Sequence, residues 1–381
     1  MTKTILFVED DKAILKGLED NFSREGYRVL TERDGKKGLA TALKKQPDLV
    51  VLDVMLPTMD GFHICAVLKK RGFAHPIFVL TGMANEKSRV EGLQYGADDY
   101  IQKPFSIQEL MLRVKNALSR TEQVLGKAKV MDEELRKARE IQLASTPKAP
   151  PAMKGIDLFG VMIPATHVGG DYFDYLPLDG GNLAIIVADV SGKGMPAALH
   201  VQKMQGIAQS SKSVIKSPTD LLTQLEEHLG ATMDAMSFVT AVAAVIDIRA
   251  RTLTIANAGH LPVLCCRGPA RQQSGGKKVE EIKSEGLWIG SLSVPQFRAK
   301  LEVLEVPIKK GDRFVFFTDG VIESMNERGE EFGMDRFKTL LLRSSGSSQQ
   351  LSESIRKQLE RFAGESDQHD DITIVALHIT E

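Results

Sequence analysis

The chain has 381 residues, with 49 basic against 50 acidic side chains and a formal net charge of −1. That length predicts two or three domains rather than one. The charge balance excludes a global pull toward nucleic acid or an anionic membrane surface, and the three cysteines (Cys65, Cys265, Cys266) are too few for a disulfide framework.

The opening "MTKTILFVED" carries an acidic pair where a signal peptide needs an apolar run, and no stretch approaches the length of a membrane span. The expectation is a reducing, cytoplasmic protein. Residues 1–120 alternate short apolar runs with amphipathic helical pattern, as a doubly wound parallel α/β sheet requires. The predicted strands are "TILFVE", "RVLTE", "DLVVLD", "PIFVLTG" and "DDYIQK". Glu9 and Asp10 end the first, Asp53 the third, Thr81 the fourth, and Lys103 the fifth. The carboxyl ends of such strands meet at one crevice. Carboxylates there suit one Mg²⁺, and an adjacent amine and hydroxyl suit phosphoryl transfer to an aspartate.

"FVEDD", "VVLDVMLPTMDG", "LTG" and "YIQKPF" resemble the receiver domains of two-component response regulators. The resemblance implies that Asp53 accepts phosphate from a histidine kinase or a small phosphodonor. It implies that Glu9, Asp10 and Asp53 hold Mg²⁺ together with the Met55 carbonyl. Lys103 would contact the phosphoryl group, Thr81 and Tyr100 would form the switch pair, and Lys103–Pro104 would be cis.

From about Ser119 the composition changes. "SRTEQVLGKAKVMDEELRKAREIQLAS" is charged, free of proline, and places Leu125, Ala128, Leu135 and Ala138 at helical spacings. Residues 121–150 are therefore predicted as a helical linker, either a solvated single helix or one strand of a coiled coil. "TPKAPP" stops any helix at Thr146. Residues 151–381 are predicted as one further domain, with many strands, two helices after Gly194 and Ser217, and a Gly-rich basic loop "RGPARQQSGGKK".

In that domain "GGDYF" lies one letter from the GGDEF loop of cyclic-dinucleotide synthases. The chemistry differs, because Tyr172 stands where the cyclase needs an acid, and Asp157 is the one acid in the segment just upstream. A different pattern emerges downstream. "LAIIVADVSGKG" is an apolar strand ending in Asp189, "DRFVFFTDG" ends in Asp319, and "QHDDITIVAL" sets Asp370 and Asp371 before another apolar strand. With Asp171, these acids each abut a core strand, where burying an unpaired aspartate is costly. Two divalent cations would supply the shared counter-charge. Oxygen-only ligation points to Mg²⁺ or Mn²⁺ rather than Zn²⁺.

"GGDYFDY", "ADVSGKGMPAAL", "FVTAVAAVID", "NAGHLP", "FFTDGVIES" and "DDITIVAL" resemble the metal-dependent PPM (type 2C) serine/threonine phosphatases, in the bacterial sporulation and general-stress branch. That resemblance implies two antiparallel sheets sandwiched by helices. It implies metal ligands at Asp171, Asp189, Asp319 and Asp370, plus the Val190 carbonyl. His260 in "NAGH" would shape a turn. Glu226 and "GLWIGSL" depart from the branch pattern, which bears on the substrate-facing surface. The implied substrate is a phosphorylated STAS-domain anti-sigma-factor antagonist, while the apolar positions Leu125, Ala128, Leu135 and Ala138 predict a homodimer through the linker helix. A binding adaptor built on a degenerate phosphatase domain is the alternative. Such adaptors lose metal aspartates, and all four stand here. No basic recognition helix suggests a nucleic-acid output.

Overall fold

A computed structural model describes residues 2–82, 95–234, 237–268 and 278–381. Chain contacts divide it into two units, Met1–Asp132 and Glu133–Glu381. In the first unit, β1 (Thr4–Val8), β2 (Arg28–Glu32), β3 (Leu49–Asp53), β4 (Ile77–Thr81) and β5 (Asp99–Gln102) form a parallel sheet in the order β2-β1-β3-β4-β5. Successive strand residues face opposite sides. Ile5, Phe7, Val51 and Leu80 therefore pack with α1 (Lys12–Arg24) and the start of α4 (Ile107–Ser145), while Leu6, Val8, Val50 and Leu52 pack with α2 (Gly35–Lys45) and α3 (Gly61–Lys70). Both faces of this sheet are covered, so its strands read as unbroken apolar runs.

The change of composition at Ser119 leaves the helix unbroken. Helix α4 runs for 39 residues without interruption. Its first turns bury Leu110, Val114 and Leu118 in the first unit, and its last turns bury Gln142 in the second. Between these ends it exposes Val124, Leu125, Val130 and Met131, while Leu135 and Ala138 are half-buried. The side chain of Ala128 lies outside the described set. The helix passes Gly126, at a cost of about 1 kcal/mol relative to alanine, and ends one residue before Thr146, ahead of three prolines.

The second unit stacks two antiparallel five-stranded sheets. One holds β7 (Asp171–Pro177), β8 (Leu183–Val190), β9 (Val239–Asp247), β10 (Thr252–Ala258) and β13 (Val303–Pro307), in the order β13-β10-β9-β8-β7. The other holds β6 (Ile156–Ile163), β11 (Val263–Cys266), β12 (Val279–Ile282), β14 (Arg313–Phe317) and β15 (Ile372–Ile379), in the order β12-β11-β14-β15-β6. Phe173, Ile185 and Val187 of the first meet Phe314, Phe316, Val375 and Leu377 of the second in the central core. Helices α5 (Met195–Ser210) and α6 (Pro218–His228) cover the outer face of the first sheet, with α7 (Val294–Lys300) beside them. Helices α8 (Gly333–Arg343) and α9 (Ser348–Ala363) cover the outer face of the second.

The sequence reading anticipated α5 and α6 and missed the last three helices. A signal for α9 was present: Ser347 and Gln350 form a capping box, and Leu351, Ile355 and Leu359 recur at four-residue spacing. Most of the basic loop at 267–278 lies outside the described residues.

Candidate active sites

In the first unit, Glu9 follows β1 and Asp53 closes β3, adjacent strands whose carboxyl ends open at the point where strand order reverses. Oxygens of Glu9, Asp10 and Asp53 all lie within 4.8 Å of one another. Glu9 and Asp53 are buried and Asp10 is exposed, so one side of the cluster faces solvent. The Lys103 ammonium, at the end of β5, reaches Glu9 at 2.7 Å and Asp53 at 3.1 Å. Burial raises the Glu9 pKa above the ordinary glutamate value, against the pull of the Lys103 hydrogen bond. Burial acts most strongly on Lys103 as well, but its bonds to Glu9 and Asp53 outweigh it and hold the ammonium pKa above normal.

Thr81 is buried at the end of β4, Tyr100 is half-buried on β5, and the exposed Met55 side chain lies in the turn after β3. The Lys103–Pro104 bond is cis. This donor set of hard oxygens with an open side fits a Mg²⁺ ion that keeps water ligands.

In the second unit the acids sit at the ends of strands in both sheets. Asp171 begins β7 directly opposite Asp189 on β8. Asp319 follows β14, and Asp370 and Asp371 precede β15. Asp171 is buried, and its carboxylate accepts a 2.7 Å hydrogen bond from the Thr318 hydroxyl, which itself accepts the Thr373 N–H at 2.9 Å. Burial first, and then the Asp189 charge, push the Asp171 pKa well above the usual carboxylate range. Burial followed by Asp319, Asp370 and Asp371 raises Asp189 to about 7. Asp319 is raised by burial and by Asp370.

Lys193, in the glycine turn after β8, sits 2.9 Å from Asp370. One exposed ammonium does not balance this many acids, so the donor set fits further cations. Four acids serving two ions need not converge on one point, and among the described residues the receiver trio is the one set gathered within 4.8 Å.

Asp371, which the sequence reading left without a role, braces the loop before Asp171. Its two oxygens accept the N–H groups of Ala165 at 2.7 Å and Gly170 at 2.6 Å. Two different contacts explain the glycine pair in "GGDYF": a Cβ on Gly170 would lie 2.9 Å from the Val190 carbonyl, and Gly169 faces Asp371. A Cβ on Gly169 would lie 2.6 Å from an Asp371 oxygen. Gly320 in "TDG" is fixed in the same way, since a Cβ there would lie 2.0 Å from the Asp371 carbonyl. Gln142, in the last turns of α4, completes the brace: its amide donates to Gly169 O at 2.7 Å and accepts Gly169 N–H at 3.0 Å. Gln142, Thr318 and Asp371 were all missed as site residues, because their partners lie outside their local sequence: the Gly169 backbone for Gln142, the Asp171 carboxylate for Thr318, and the Ala165 and Gly170 amides for Asp371. The polar Gln142 on the "AREIQLA" helix was the available signal.

His260 bonds through both ring nitrogens, to Thr240 Oγ1 at 2.8 Å and Phe317 O at 3.1 Å. A carbonyl can only accept, so Nε2 carries the proton and Nδ1 accepts from Thr240. Burial lowers the ring pKa to about 4. The residue is thus a neutral tie holding the end of β14, which carries Thr318 and Asp319. The two departures from the branch pattern meet each other: Glu226 accepts the Gly290 N–H at 2.7 Å.

Residues 5–115 match the response regulator receiver domain. Residues 179–380, more than half the chain, match stage II sporulation protein E (SpoIIE). The chain belongs to the SpoIIE family. It joins an N-terminal receiver domain to a C-terminal PPM-type phosphatase domain. Asp189, Asp319 and Asp370 fall inside the SpoIIE match, and Asp171 falls just before it.

Among similar proteins, the alkaline phosphatase synthesis transcriptional regulatory protein PhoP of Bacillus subtilis is 42% identical over 135 residues, 35% of this chain and 56% of that protein. Response regulator MprA of Mycolicibacterium vanbaalenii is 43% identical over 121 residues, 32% of this chain and 52% of that protein. The chain thus spans about half the length of the curated relatives it matches. The SiaA-PP2C domain of Pseudomonas aeruginosa shares the fold at TM-score 0.57 and 24% identity, over 66% of this chain and 98% of that one. The RsbU and RsbW domains of Rv1364c from Mycobacterium tuberculosis do so at TM-score 0.50 and 21% identity, over 62% and 63%. Among the described residues, no helix is long and apolar enough to cross a membrane.

Proposed function

We propose that this protein is a response regulator whose output is metal-dependent hydrolysis of phosphoserine or phosphothreonine on another protein, under the control of Asp53 phosphorylation. The observation that carries the reading is the set of acids at strand ends of two facing sheets, under-supplied with positive charge. Asp171, Asp189, Asp319 and Asp370, with the Val190 carbonyl, would hold two Mg²⁺ or Mn²⁺ ions. When bound, such ions neutralise phosphate charge and acidify water. The chain's own contribution is to hold the acids in place. Thr318 orients Asp171, Asp371 and Gln142 fix the loop before it, and His260 anchors the strand before Asp319.

In the receiver, Glu9, Asp10 and the Met55 carbonyl would hold Mg²⁺ beside Asp53. Lys103 would meet the incoming phosphoryl group, with Thr81 and Tyr100 responding to it. The phosphodonor is a histidine kinase or a small acyl phosphate. The substrate class favoured by the motif resemblance is a phosphorylated STAS-domain anti-sigma-factor antagonist. The exposed Val124, Leu125, Val130 and Met131 on α4 support a homodimer paired along that helix.

The adaptor alternative is disfavoured by the four retained aspartates. Phosphate release from p-nitrophenyl phosphate and from a phosphoserine protein, with and without Mn²⁺, tests the reading. Activity in Mn²⁺ that is lost in Asp189→Ala supports it. No turnover by the wild-type chain favours the adaptor.

A further inference from the structure

Beside the acids of the second unit lies a cavity of about 410 Å³ that no step of the proposed hydrolysis uses. It is bounded by the C-terminal half of α9, by the turn that follows Asp319, and by the segment leading into β15. Ile163, Met325, Leu359, Ala363 and Ile372 give it an apolar lining. Lys193, Gly320 and Asp370 line it too, so the cavity is continuous with the acid cluster.

We propose that this cavity is a specificity subsite that takes an apolar side chain next to the phosphorylated residue of the protein substrate. The inference rests on the phosphatase reading and deepens it. Position is the first argument. A phosphoseryl group at the acids leaves its neighbour in an extended peptide only about 3.3–3.6 Å further along the chain per residue, and the cavity begins at Asp370 itself.

Chemistry is the second argument. Among the charges at the cavity, Lys193 pairs with Asp370 and Arg356 pairs with Glu360. Glu323 and Asp367 then remain as an acidic excess. An apolar side chain gains by leaving water for the partly exposed Ile163, Met325 and Ala363 surfaces, while an acidic one is repelled. A free small molecule is the competing occupant, and it predicts no dependence on the flanking residue of a substrate.

The test uses the full chain in Mn²⁺ with phosphoserine peptides that carry Leu, Gly or Asp on either side of the phosphoserine. The readout is the ratio of kcat/KM for Leu-flanked over Gly-flanked peptides. The expected wild-type ratio is about tenfold or more, carried mainly by KM, with the Asp-flanked peptide poorest. Ala363→Phe fills the cavity from the end of α9 and should bring the ratio to about one, since the pocket no longer accepts the side chain. Met325→Trp does so from the turn after Asp319, should the first variant fail to fold.

A wild-type ratio near unity, or an unchanged ratio in a folded Ala363→Phe protein, overturns the proposal. If the wild-type chain turns over neither the peptides nor p-nitrophenyl phosphate, the phosphatase reading fails. The subsite is then judged by fluorescence anisotropy of the same peptides, where a Leu preference in affinity that the plug removes upholds it and equal affinities sink it.

Discussion

Gln142 is the most informative single position, because one side chain on the long helix grips both polar groups of the Gly169 peptide, two residues before Asp171. Gln142→Met keeps much of the volume and removes both bonds. Gln142 is 3% exposed and Gly169 is buried, so the freed N–H and C=O find little water. Each stranded group costs about 1–3 kcal/mol, for a combined loss of about 2–4 kcal/mol after partial relaxation. For a unit of this size, that is a fall in Tm of roughly 5–10 °C, measurable by circular dichroism.

The loop before Asp171 then keeps its Asp371 bonds and loses its other brace. Affinity for Mn²⁺ should fall about tenfold or more, as when outer-shell partners of metal ligands are removed. Titration calorimetry reads this directly. Gln142→Glu discriminates further: it retains an acceptor for Gly169 N–H and sets a carboxylate against Gly169 O, so it should be no better than the methionine variant. A Gln142→Met protein that unfolds at the wild-type temperature and binds Mn²⁺ as tightly as wild type refutes the brace.

The raised acids predict an unusual pH dependence. Asp189 holds its proton up to about 7 when folded, against an ordinary value of 3.8, so in EDTA the phosphatase unit should lose stability as pH rises between those values. Asp189→Asn should flatten that slope in thermal melts while abolishing hydrolysis, and Mn²⁺ affinity of the wild type should rise through the same window. Lys193→Met removes an exposed cation from Asp370 and should tighten Mn²⁺ binding by roughly twofold to fivefold, with calorimetry as the check. Acetyl phosphate with Mg²⁺ should label the wild type and leave Asp53→Asn unlabelled by intact-mass spectrometry. Leu125→Asp combined with Leu135→Asp should give a monomer by light scattering whose phosphate release no longer responds to beryllofluoride. A monomer that still responds as wild type does would reduce the helix to a tether.

Local pattern determined much of this protein. Unbroken apolar runs ending in Glu9, Asp53, Asp189 and Asp319 announce strands with acids at their mouths, because strand period and the cost of burying aspartate both act within a few residues of sequence. Pairing across the chain was decided by tertiary structure alone. The bonds from Ala165 and Gly170 to Asp371 span 206 and 201 residues, and that from Thr318 to Asp171 spans 147. No local periodicity encodes such contacts. The same holds for Gln142, whose helical position was legible and whose partner was not, and for Glu226 and Gly290, which read as separate departures and prove to be one hydrogen bond. The change of composition at Ser119 leaves the helix intact for a related reason. A shift from buried to solvated composition changes what a helix touches, while its backbone hydrogen bonds, each reaching only four residues, continue through it.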